Sequence, residues 1–149
     1  MAQIELHPDF KDFLRLLNSH GVEYLVVGGY AVGYHGYPRA TGDMDIWIAV
    51  NEANAAKAAK TLRDFGMSER DVTKDLFTAK DKVIRMGVPP VRIEVITTAS
   101  GVDFDDCYSR REIIEIDGIP VNFIALDDLR VNKRACGRHK DMEDLEHLS

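Results

Sequence analysis

The chain has 149 residues, 45% hydrophobic and 30% charged, with a formal net charge of −6. That length fits one compact domain, residues 1–149, with room for a sizeable core. The acidic balance disfavours broad electrostatic binding to DNA or RNA, which needs a basic footprint, although a local basic patch is compatible with it. No apolar run approaches the length of a membrane span. The N-terminus, Met1 to Pro8, has no basic region followed by a long apolar core, so neither a membrane nor a secreted protein is expected. Cys107 and Cys136 form no CxxC pair, and isolated thiols fit inert packing roles in a reducing cytoplasm.

Residues 8–19 are expected to be helical: Pro8 suits a first turn, Asp9 and Asp12 lie near the positive end of the dipole, and Phe10, Phe13, Leu14 and Leu17 make one apolar stripe. Gly21 closes this helix. Residues 22–27 read as a buried strand, 29–35 as two short helical turns, and 36–42 as a loop rich in Gly and Pro. A second strand is expected over 43–50. Asn51 then caps an alanine-rich helix that runs to Gly66. Residues 67–90 carry a weaker signal, with a strand at 83–86 and a turn at Pro89-Pro90. Residues 91–96 alternate, with Val91, Ile93 and Val95 on one side and Arg92, Glu94 and Ile96 on the other. Residues 112–116 and 119–124, joined by Asp117-Gly118, form a hairpin. Two helices, 126–135 and 139–148, meet near Gly137. This order argues for an α/β (α+β) domain, a mixed sheet with helices packed on it.

Five groups of residues are able to carry chemistry. Gly28-Gly29 ends a strand and opens a helix, where exposed N–H groups suit a phosphate; a plain tight turn is the competing reading. Asp43 and Asp45 stand at i and i+2 of one strand and so share a face with Trp47, while Met44, Ile46 and Ile48 form the buried face. Aspartate is a poor strand former, and paired like charges cost stability. A divalent cation such as magnesium, which prefers oxygen ligands, relieves that cost; solvated surface acids are the alternative. Glu94 completes a three-carboxylate set if its strand lies beside 43–50, and is otherwise a surface acid paired with Arg92 or another base. In the loop before the acids, Arg39 and Thr41 are placed either to reach a phosphate or to hold the loop. Lys133, Arg134, Arg138, His139 and Lys140 make the densest basic cluster, although Lys140 and Asp144 also stand at the spacing of an ordinary helical ion pair. His35 reads as a structural histidine.

Val27-Gly28-Gly29 followed by Thr41-Gly42-Asp43-Met44-Asp45-Ile46, with an acid on a later strand, resembles the signature of the nucleotidyltransferase superfamily typified by DNA polymerase β. Residues 26–46 and 129–145 are similar, more narrowly, to small bacterial stand-alone nucleotidyltransferases related to the enzymes of abortive-infection and toxin–antitoxin systems. The resemblance implies the mixed sheet of that fold, flanked by helices and followed by C-terminal helices. It implies a magnesium- or manganese-dependent transfer of a nucleoside monophosphate, from a nucleoside triphosphate such as ATP, to a hydroxyl on RNA, protein or a small molecule. Asp43, Asp45 and Glu94 would hold the metal, and Glu94 would also take the hydroxyl proton. Gly28, Gly29, Arg39, Thr41, Lys133 and Lys140 would contact the nucleotide. A partner chain or homodimer would complete the acceptor side, in the cytoplasm, with a toxin-type role as one setting. Two rivals stand beside this reading: a catalytically silent binding module, such as an antitoxin or scaffold subunit, and an enzyme of the antibiotic-adenylylating type with a deep acceptor pocket.

Overall fold

The computed structural model describes residues 6–37, 42–88 and 91–148. Its elements in chain order are α1 (Pro8–Ser19), β1 (Tyr24–Val27), α2 (Gly28–Tyr34), β2 (Asp43–Ile48), α3 (Glu52–Phe65), a 3-10 turn (Lys74–Phe77), β3 (Val83–Val88), β4 (Val91–Ile96), α4 (Phe104–Ser109), β5 (Glu112–Ile116), β6 (Ile119–Phe123), α5 (Leu126–Cys136) and α6 (His139–His147). The strands form one six-stranded sheet in the order β3-β4-β2-β1-β6-β5. β1 runs antiparallel to β2 and parallel to β6, while β2 runs parallel to β4. The sheet is therefore mixed, as expected of the α+β class.

Local chemistry explains most boundaries. His7 caps α1 by accepting from the Asp9 amide at 3.0 Å, and Phe10, Phe13, Leu14 and Leu17 form its buried stripe. Asn51 caps α3 by accepting from the Asn54 amide at 2.8 Å. α1 packs on α3 through an edge-to-face contact of Phe13 and Phe65, with centroids 5.1 Å apart. At the hairpin, Asp117 and Gly118 both take positive φ, 51° and 81°, the two-residue turn that matches strand twist. β3 extends past the expected 83–86 to Val88, because it pairs with β4 along its whole length. The expected Pro89-Pro90 turn lies outside the described residues. α4 and the 3-10 turn have no counterpart in the sequence reading. Each is too short to show a periodic stripe: α4 buries only Cys107, and a cap from Asp103 to the Asp106 amide at 3.2 Å holds its start.

One sheet face is built from Met44, Ile46, Ile93 and Val95, each at most 2% exposed. The opposite face of the same two strands carries the charged residues. Burying one side at this depth fixes the direction of every side chain on the other, because a one-residue slip would invert both.

Asn54 ties the outer ends of β1 and β2 together. Its side chain accepts from the Glu23 amide at 2.8 Å and donates to the Glu23 and Ala49 carbonyls at 3.1 and 2.9 Å. Asn54→Ala leaves the Glu23 amide and the Ala49 carbonyl without this partner, while the Glu23 carbonyl keeps the Ala49 amide at 3.2 Å, and is expected to cost roughly 2–3 kcal/mol. Urea unfolding checks this: the midpoint falls while the slope is unchanged.

Candidate functional site

β2 and β4 lie side by side in parallel, with Asp43 opposite Arg92 and Asp45 opposite Glu94. Asp43, Asp45, Arg92 and Glu94 thus share one sheet face. On the other flank of β2, Val27 stands opposite Asp45, so the turn at Gly28 comes directly over the Asp45 side chain. Gly28 has φ +66°, and a Cβ placed there would collide with the Asp45 carboxylate. Only glycine lets the chain pass so close to the acid. Gly29 is buried in the first turn of α2.

The three acids are held differently. Arg92 grips Asp43 with two bonds, Nε to Oδ1 at 2.7 Å and Nη2 to Oδ2 at 2.9 Å. This fork holds the Asp43 carboxyl below the usual range. Glu94 Oε1 receives Arg92 Nη2 and Arg85 Nε, both at 3.1 Å. For Asp45, Oδ1 is buried without a hydrogen-bond partner. Burial first, and then the charges of Glu94 and Asp43, push its pKa up to about 6, although the Lys133 and Lys140 charges pull it part of the way back. Among the described residues, no three Asp, Glu, His or Cys side chains converge as a ready-made metal cage. The carboxylates share a face, but the guanidinium of Arg92 is laid across two of them.

Behind Asp45, α5 and α6 contribute a second charged group. Lys133 Nζ lies 3.1 Å from Asp141 Oδ1 and 3.1 Å from Asp144 Oδ2. All three residues are buried, at 3%, 0% and 1% exposure. Arg138 adds its Nε to Asp141 Oδ2 at 2.7 Å. Burial alone would raise the Asp141 carboxyl, but the Arg138 and Lys133 bonds outweigh it and hold it low. A cleft of about 150 Å³ separates these groups from the sheet, lined by Gly28, Asp45, Ser100, Asn132, Lys133 and Arg138 among others.

The residues singled out from the sequence fall into three sets. Gly28, Asp43, Asp45 and Glu94 are brought together, with Gly29 one residue further on. Lys133 faces the cleft, but its ammonium is committed to two acids, while exposed Lys140 acts on Asp43 and Asp45 through its charge. Arg39 and Thr41 lie outside the described residues. His35 is satisfied by the Ile124 carbonyl at 2.7 Å, in keeping with a structural role. Trp47, expected on the aspartate face, is 2% exposed and packs edge-to-face on Phe104. The reading of the sequence missed Arg92 as a clamp on Asp43. The signal was present: Arg92 and Glu94 are two apart on one strand and so share a face.

A mixed sheet whose Asp-x-Asp strand runs between a glycine turn and a parallel acid-bearing strand is the architecture of the nucleotidyltransferases. The chain belongs to the family described as nucleotidyl transferase of unknown function (DUF2204), whose profile matches residues 7–149. It superposes on a candidate nucleotidyltransferase from Thermotoga maritima with a TM-score of 0.63 and 15% identity, over 95% of this chain and 93% of the other. An antigenic nucleotidyltransferase-like protein from Paracoccidioides brasiliensis gives 0.54 and 20%, over 94% and 74%. At these identities the likeness is one of fold. No curated protein matches the sequence. No helix among the described residues is long and apolar enough to cross a membrane.

Two predictions follow the charges. Because the Asp45 pKa is higher folded than unfolded, its ionisation opposes folding, and stability is lost as pH rises from the ordinary aspartate range through about 6. In chelator, Asp45→Asn should therefore stabilise the protein by about 1–3 kcal/mol above that range and by nothing near pH 3, as urea unfolding across pH would show. Asp141 has the opposite sign: its depressed pKa stabilises at neutral pH and ceases to do so as pH falls through the acid range. Lys133→Met removes the cation that two buried acids share and is expected to cost roughly 3–5 kcal/mol, measurable by the same method.

Proposed function

We propose that the protein is a nucleotidyltransferase that uses magnesium or manganese to move a nucleoside monophosphate from a nucleoside triphosphate to a hydroxyl. The observation that carries this reading is the alignment of Asp43, Asp45 and Glu94 on one rigid face beside Gly28, with an Asp45 oxygen buried and unpartnered. Three oxygen donors on a face where burial, and then like charge, raise a carboxyl pKa suit a hard dication. The fit requires Arg92 to yield its hold on Asp43 and Glu94. When bound, such an ion neutralises charge on the triphosphate and favours its displacement.

The chain's own groups supply the rest. Asp43, Asp45 and Glu94 would hold the ion, and Glu94 would also take the proton of the attacking hydroxyl. The bond from that oxygen to the α-phosphorus forms as the bond to the β-phosphate oxygen breaks, and pyrophosphate leaves. Gly28 and Gly29, at the start of α2, would turn backbone N–H groups toward phosphate oxygens. Arg138 and Lys140 offer positive charge from the far side of the cleft, and the buried Lys133 fixes the helices that carry them. Positioning and charge neutralisation then do most of the work. The acceptor is a hydroxyl on RNA, a protein or a small molecule, with a partner chain or second copy completing that side; a toxin-type role is one setting for such a reaction.

One observation favours a second reading. Arg92 already neutralises Asp43 and Glu94, as it would in a catalytically silent module serving as an antitoxin or scaffold subunit. Offering each labelled nucleoside triphosphate, with magnesium or manganese, to total RNA, total protein and a metabolite panel separates the two. The enzyme reading expects transfer by wild type that falls more than about a hundredfold in Asp45→Ala and Glu94→Ala. No transfer, together with no calorimetric binding of metal or nucleotide, would leave the silent module.

A further inference from the structure

We propose that Arg92 is a built-in counter-ion that competes with the divalent metal, so that an ion enters only as the guanidinium swings off Asp43 and Glu94. The inference rests on the metal reading above. Arg92 precedes Glu94 by two residues on β4 and stands opposite Asp43 on β2. Its fork takes both oxygens of Asp43, and Nη2 also reaches Glu94. These are the oxygens a dication on this face would use. A guanidinium and a dication cannot hold them together, since each charge repels the other at contact distance.

The geometry shows a displaceable group rather than a fixed brace. The Arg92 backbone is pinned in the sheet, its amide donating to the Gly42 carbonyl at 3.1 Å, so the carrier stays in place while the side chain moves. That side chain is 29% exposed, which leaves a path toward solvent. Glu94 keeps a second cation when Arg92 leaves, because Arg85 from β3 bonds the same Oε1. Asp45 lies beside the two clamped acids and keeps a buried oxygen without a partner, which an ion seated on this face would satisfy. A guanidinium released at the rim has a natural new partner in the triphosphate, whose oxygens its planar fork matches. Arg92 is thus a positioning residue for the metal: it protects the platform from its own repulsion and makes an ion displace it on entry.

Calorimetric titration of Mn2+ alone into wild type, Arg92→Gln, Arg92→Lys and Arg85→Gln tests this, with thermal unfolding as the check of folding. Removing the competitor should tighten Mn2+ binding about tenfold in Arg92→Gln, the scale of one charge-assisted bond. Arg92→Lys keeps the charge and loses the fork, and should fall between that variant and wild type. Arg85→Gln should tighten binding less than Arg92→Gln, because it frees only the Glu94 oxygen and leaves the Arg92 fork on Asp43 in place. If Arg92→Gln does not fold, Arg92→Lys decides alone: tighter binding than wild type supports the inference, and equal or weaker binding overturns it. Equal or weaker binding in a folded Arg92→Gln overturns the inference while leaving the metal reading intact. No Mn2+ binding by any variant overturns both.

Discussion

Mutual repulsion among Asp43, Asp45 and Glu94 is the constraint around which the rest of this structure is arranged. In a flexible segment three acids would splay into water and the cost would vanish. Here the strands that carry them are buried on their reverse side by Met44, Ile46, Ile93 and Val95, so the carboxylates cannot turn away. The charge must be answered locally, and the answer is uneven. Arg92 and Arg85 satisfy the two outer acids, and the central one is left with a raised pKa and an unmatched oxygen. Among the described residues Asp45 Oδ1 shares this lack of a partner with Trp47 Nε1 and Arg111 Nε, and it is the one of the three that belongs to a carboxylate, the group the proposed dication would match.

The C-terminal helices follow the same logic with the signs reversed. Lys133 is buried between Asp141 and Asp144, and Arg138 closes on Asp141 from the helix start. Such a network adds little net stability compared with an apolar core of equal volume, since desolvation of each charge offsets most of the attraction. What it fixes is geometry. α6 can dock on α5 in only one register if both acids are to reach one ammonium. That register sets where Arg138 and Lys140 stand relative to the carboxylate face. The cleft therefore has two walls, each fixed by ion pairs rather than by shape alone.

Much of this was legible from residue order, and the exceptions share a cause. The stripe of α1, the Asp-Gly hairpin and the alternation of β4 are local patterns, and each gave its element. The common face of Asp43 and Asp45 is also local, a matter of period two. The neighbourhood of Glu94 is not: alternation shows which side it points to, but not that β4 lies against β2, and the family resemblance supplied that step. Arg92 on Asp43 is a cross-strand contact over a long sequence separation, so an alternating pattern read along one strand assigned Arg92 only to Glu94. Lys133 was read as part of a basic cluster, without the two acids of the next helix that fold back onto it. In each case the local pattern named the charge and the fold chose its partner.

β1 sits at the centre of the sheet, and its two neighbours come from opposite ends of the chain. β2 joins it early, whereas β6 pairs with it at Val26 and Phe123, with the Ile124 amide bonded to the Val26 carbonyl at 3.1 Å. During synthesis, all three acids therefore emerge while one edge of β1 is still bare. A nascent chain at that stage carries the charges of the site with an exposed apolar strand edge beside them, the kind of surface that chaperones or premature pairing find. Closure waits for residues beyond 119, and long-range parallel pairings of this kind are slow to form. The chain thus assembles its most strained residues first and the strand that seals them last.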